Sequence, residues 1–170
     1  AGERRMGMMR WGLVPFWADD PSIGNRLINA RAETVAEKPA FRAAFRSRRC
    51  IVPMDGFYEW VKEAEAKTPH WIHLPERRPF AVAGLWERWR EDDGADPLIT
   101  FTLLTTDAVA SVKPLHHRMP LILGEAGIAR WLDPEAGADA LQGVLAQPPE
   151  VEVEEWAVSR EVNRPANDRA

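Results

Sequence analysis

The sequence predicts an α+β fold, an antiparallel-rich, curled or barrel-like sheet with a few short helices, in one domain over residues 1–170. Short apolar runs, many of them β-branched or aromatic, recur along the chain and are bounded by Gly, Pro, Asp and Ser. The helical patterns are few and short. Apolar residues make up 45% of the 170, enough to build one ordinary core without disulfides or metal.

The elements follow in order. Met8 to Val14 reads as a strand stopped by Pro15, and Phe16 to Asn25 as a loop rich in Asp, Pro, Ser and Gly. Pro39 to Arg46 is predicted as a short helix, with Phe41, Ala44 and Phe45 as its apolar face. Cys50 to Met54 and Phe57 to Val61 read as strands around an Asp55-Gly56 turn, and Lys62 to Pro69 as a polar loop. Further strands are expected at Trp71 to Leu74, Phe80 to Trp86 and Leu98 to Leu104, with a turn at 91–97. Asp107 reads as the N-cap of a helical turn to Val112. Met119 to Leu123 is strand-like, and two short helices are placed at 125–132 and 134–146. Val151, Val153 and Trp156 mark a late strand.

The net charge of −4 does not announce a nucleic-acid partner, but its distribution is uneven. Between residues 26 and 49, Arg26, Arg31, Lys38, Arg42, Arg46, Arg48 and Arg49 stand against Glu33 and Glu37. The acidic excess lies in Glu91, Asp92, Asp93 and in Glu150 to Glu155. Arginine outnumbers lysine 18 to 4, and a guanidinium fork matches phosphate oxygens as an ammonium does not. A solvated helix face would carry the same charges. A single cysteine, Cys50, excludes an intrachain disulfide, which points to a reducing compartment and a cytoplasmic protein. No apolar run is long enough to span a membrane, and the opening residues do not read as a secretory leader. The chain opens on Ala1 and runs almost directly into a strand, which reads as a natural N-terminus that is missing.

Familiar catalytic signatures are absent: no glycine-rich phosphate loop, no G-x-S-x-G, no H-E-x-x-H. His70 and His73 fall on opposite faces of a strand and make a poor metal pair. Three segments set a chemically able residue among apolar neighbours: Asn29 to Thr34, Asp55 to Trp60, and His116 to Pro120. If Phe57 faces the core, Glu59 points to the same side. A carboxylate there is either functional or paired with an arginine. His116 on its own reads more often as a satisfied structural histidine. Eight tryptophans are mostly core material. Trp17 sits in a polar loop, where it either stacks on an unpaired base or folds back onto the core.

Taken together, these segments resemble the SOS-response-associated peptidase (SRAP) family of abasic-site processing proteins. The likeness rests on R-W-G-L-V-P at 10–15, N-A-R-A-E-T at 29–34, D-G-F-Y-E-W at 55–60, H-H-R-M-P at 116–120 and V-S-R-E-V-N at 158–163, in that order. The resemblance implies a protein that binds single-stranded DNA and captures abasic sites through an N-terminal cysteine, exposed when the initiator Met is removed. The cysteine's amine forms a Schiff base with the sugar aldehyde and its thiol closes a thiazolidine ring. Asn29 matches the residue that positions the amine, Glu59 the proton shuttle, and His116 the group that helps open the sugar. Arg31 and Arg118 match phosphate-holding arginines. Trp17 lies in the loop that packs against DNA near the lesion, and Arg42 is a further candidate phosphate contact. No cofactor or metal, no membrane and a monomeric state are expected. The chain departs from the family pattern at its start: M-C-G-R and the residues after it are not present. Cys50 cannot substitute, because its nitrogen is locked in a peptide bond, so the chain as given is expected to be inactive in crosslinking. A non-covalent module for single-stranded DNA, and an unrelated hydrolase using Glu59 and His116, are the alternatives.

Overall fold

The computed structural model of the chain describes residues 4–63, 66–90, 94, 96–147, 149 and 151–167. Glu91, Asp92, Asp93 and Glu150 of the acidic segments, and most of the 91–97 turn, lie outside the described residues.

The fold is α+β and its strands pair mostly antiparallel. Among the described residues ten strands form two open sheets, and neither closes into a barrel. The larger sheet runs β1 (Arg10–Trp11), β7 (Leu98–Asp107), β6 (Phe80–Trp89), β3 (Arg49–Met54), and β2 (Asn29–Arg31), β8 (Arg118–Pro120) and β9 (Ile122–Leu123) join it. Only β1 and β2 lie parallel to their partner, β7. The smaller sheet has the order β10 (Glu154–Ala157), β5 (Ala66–His73), β4 (Phe57–Glu63) and is antiparallel throughout.

The larger sheet is packed on both sides. On one side it meets α1 (Arg42–Ser47), α2 (Glu125–Trp131) and α3 (Ala138–Ala146) through a core that includes Leu85, Leu104, Phe45, Trp131 and Val144. Trp131 is fully buried, and its indole donates to the Cys50 carbonyl at 2.9 Å. On the other side a second core joins Val82, Leu103, Met119 and Ile122 to Ile72 and Phe57 of the smaller sheet. This layering explains why β6 and β7 read as near-continuous apolar runs: both of their faces are covered.

Several local expectations are corrected. The Asp55-Gly56 pair is not a hairpin turn. β3 pairs with β6 and β4 with β5, so the chain changes sheets there. Gly56 is held close against Trp71 and the Ile72 carbonyl, with no room for a Cβ. The hairpin that β4 does make is with β5, and it takes in most of the stretch read as a polar loop. The first strand is only Arg10–Trp11, because Gly12 takes a positive φ of 106°. Asp107 is not an N-cap but the last residue of β7; the chain winds only from Val109 onward, where Lys113 N–H donates to the Val109 carbonyl. Met119 to Leu123 is split, β8 pairing with β7 and β9 with β6. The late strand begins at Glu154, and Val151 and Val153 pack against the second core.

Candidate active site

Glu59 stands on β4 with alternation as expected. Phe57 packs into the second core, while Tyr58 and Trp60 are 44% and 42% exposed on the other face. The Glu59 side chain retains 24% of its exposure. Burial holds its carboxyl above the usual carboxylate range, against the opposing pull of His116 and His117.

His116 arrives from the winding segment between β7 and β8. Its Nδ1 lies 3.4 Å from Glu59 Oε1. The same nitrogen is 2.9 Å from the Arg118 carbonyl and 3.2 Å from the Arg118 N–H. With a proton on Nδ1 the ring donates to the carbonyl and faces the carboxylate; without one it accepts from the N–H. Both states therefore have partners, which suits a group that gains and loses a proton. His117 lies beside it with its ring tilted by 43°, the ring centroids 4.4 Å apart.

Arg118 ties this segment to β2 and its following turn. Its two terminal nitrogens meet Glu33 at 2.7 and 2.9 Å, and they also donate to Asp107 and to the Thr105 carbonyl, both at 2.7 Å. Glu33 is held below its ordinary range chiefly by that hydrogen bond, and Arg118 is held above its own. The guanidinium is thus occupied, and a phosphate would have to displace Asp107, whose side chain is 86% exposed. Glu33, Asp107 and His117 were not singled out from the sequence as site residues; Glu33 meets Arg118 across 85 residues of chain.

The remaining residues are spread more widely. Asn29 and Arg31 are exposed on β2, opposite Leu103 and Thr105. Among the described residues no hydrogen bond joins Asn29 to Glu59 or His116. Arg42 opens α1 and is exposed. Trp17 is 49% exposed and lines a shallow cleft with Asp19, Asp20, Ser22, Ile23 and Arg26, so it does not fold back into the core. Among the described residues no three metal-ligating side chains gather, and no helix is long and apolar enough to cross a membrane.

Cys50 is set apart from this chemistry. It lies in β3, and burial pushes its thiol up to about 12. The thiolate is the reactive form. Iodoacetamide at about pH 8 is therefore expected to leave Cys50 unlabelled in the folded chain and to label it in urea, as read by mass spectrometry.

The SOS response associated peptidase (SRAP) family model matches residues 1–165. The Bacillus subtilis abasic site processing protein YoaM is 45% identical over 168 residues, which cover 98% of this chain and 74% of that protein. The chicken (Gallus gallus) abasic site processing protein HMCES is 36% identical over 156 residues, 78% of this chain and 46% of its own length. The crystal structure of a Bacteroides thetaiotaomicron protein superposes with a TM-score of 0.85 at 31% identity, covering 94% of this chain and 72% of that one. With a match that runs from the first strand through the last turns and takes in Glu59, His116 and Arg118, the chain belongs to the SOS response associated peptidase family.

Proposed function

We propose that this protein processes abasic sites: it binds single-stranded DNA in the cytoplasm and captures the lesion covalently through an N-terminal cysteine. The single observation that carries the reading is the Glu59–His116 pair at 3.4 Å, a half-buried carboxylate against an imidazole whose Nδ1 also meets the Arg118 backbone. The names of the relatives support the substrate.

The chemistry needs an amine and a thiol on adjacent carbons, which an N-terminal cysteine supplies. The amine condenses with the aldehyde of the opened deoxyribose and releases water. The thiol then adds across the C=N bond, sulfur to carbon and proton to nitrogen, closing the thiazolidine. Each step moves a proton, and ring opening of the sugar moves another. Glu59 is the group proposed to carry protons for Schiff-base formation and for removal of the initiator Met, and His116 the one that opens the sugar. Asn29 orients the amine. Arg31 and Arg42 are free to meet phosphates, Arg118 does so by giving up Asp107, and Trp17 offers a face for an unpaired base.

The test uses the chain extended at its start to begin with Met-Cys. Incubated with a single-stranded oligonucleotide carrying one abasic site, it is expected to give a band that survives a denaturing gel and vanishes with Cys→Ala. Salt-sensitive binding with no such band would leave a non-covalent module instead.

A further inference from the structure

Glu59 has a third histidine on its own face of the sheet. In the β4–β5 ladder Glu59 lies directly across from His70. Directly opposed residues of an antiparallel pair project from the same face. In the β10–β5 ladder Glu155 lies opposite Ile72, two residues from His70 and so on that face again. The side chains meet there: His70 Nδ1 is 2.6 Å from Glu155 Oε2. One face of the smaller sheet therefore carries Glu59, His70 and Glu155 in a row across its three strands.

The His70 side chain is only 12% exposed, and its second ring nitrogen, Nε2, is buried without a hydrogen-bond partner. Such atoms are scarce because leaving them unpaired is costly, and a chemical role is one reason to keep them. Glu155 takes one nitrogen and orients the ring. His73, by contrast, turns to the other face and stacks on Trp71 at 4.3 Å.

We propose that His70, oriented by Glu155, is a positioning residue for Glu59: its free Nε2 steadies that carboxylate and governs how readily it exchanges a proton. This rests on the reading of Glu59 as the proton carrier. The groups facing Glu59 are then His116 and His117 from the segment before β8 and His70 from β5. Arg118, next along, is taken by Glu33 and Asp107. The groups facing His70 are Glu59 from β4 and Glu155 from β10.

The test is a titration of the Glu59 side-chain carboxyl by carbon NMR in the full chain, as wild type, His70→Gln and His70→Phe. Phe keeps a ring in the same space and removes the unpaired nitrogen, so it serves if the Gln variant does not fold. The Glu59 midpoint is expected to move by about one pH unit in either variant. In the Met-Cys version, the acid limb of the adduct rate is expected to move with it. An unmoved Glu59 midpoint in a folded variant overturns the inference, whatever the adduct does. If wild type forms no adduct at any pH, the proposed function fails, and the carboxyl titration still decides the role of His70.

Discussion

Glu59→Gln is expected to slow adduct formation by about 10²-fold or more, the usual contribution of a positioned proton-transfer group. Gln keeps the size and shape of the side chain, but it cannot carry a proton. Affinity for single-stranded DNA is expected to hold, since the proposed phosphate contacts are Arg31, Arg42 and Arg118. Stability points the same way. A carboxyl whose folded pKa is raised stabilises the fold below its unfolded pKa, and that stabilisation is lost as pH rises through the folded value. At neutral pH the ionised Glu59 is therefore a burden on the fold, because burial is the larger influence on it. The Gln variant is expected to melt at or above the wild-type temperature near pH 7. A slow, fully stable variant is the signature of a residue kept for chemistry. A single-turnover rate within about threefold of wild type would remove Glu59 from the mechanism.

Much of this site was legible in the sequence, for reasons that can be stated residue by residue. The alternation of Phe57, Tyr58, Glu59 and Trp60 placed the carboxylate on the core side, and the structure keeps it there. The Phe41, Ala44 and Phe45 spacing gave the buried face of α1, and all three are buried. Errors fell where a local signal has two tertiary meanings. Asp-Gly between two apolar runs looks the same whether the chain turns back on itself or steps to another sheet, and only the partners of β3 and β4 decide. Short strands such as Asn29–Arg31 have no period long enough to read; β7 supplies the ladder they join. Charge pairing was the least legible. Glu87, 3% exposed, is matched by Arg48 at 2.8 Å from a segment read only for its net charge. Arg118 and Glu33 are 85 residues apart. His70 was set aside as one half of a poor metal pair, while its position opposite Glu59 depended on a hairpin register that the polar loop reading hid.

Gly12→Ala is expected to cost about 4 kcal/mol of stability. Two costs combine. Gly12 has a φ of 106°, a region L side chains rarely adopt. A Cβ there would also lie 2.5 Å from the Gly24 carbonyl oxygen, a backbone atom that cannot swing away. The close approach of the two glycines seats the loop that carries Trp17, the proposed face for an unpaired base. Leu13 N–H donates to Leu27 on one side of that loop, and Trp89 pins it from below through the Ala18 carbonyl at 2.6 Å. Gly24→Ala separates the two costs. Its Cβ would meet the Gly12 oxygen at 2.6 Å, but its φ is not positive, so it carries the crowding without the backbone strain. Urea unfolding is expected to rank wild type above Gly24→Ala and Gly24→Ala above Gly12→Ala. Against a typical total of about 5–15 kcal/mol, the loss leaves Gly12→Ala marginal at best. Binding of single-stranded DNA by the Gly12 variant, measured in cold buffer where it stays folded, is expected to weaken along with quenching of Trp17 by the oligonucleotide. Equal midpoints for the two alanine variants would mean the positive φ costs nothing here, and would detach the Trp17 loop from the glycine contact beneath it.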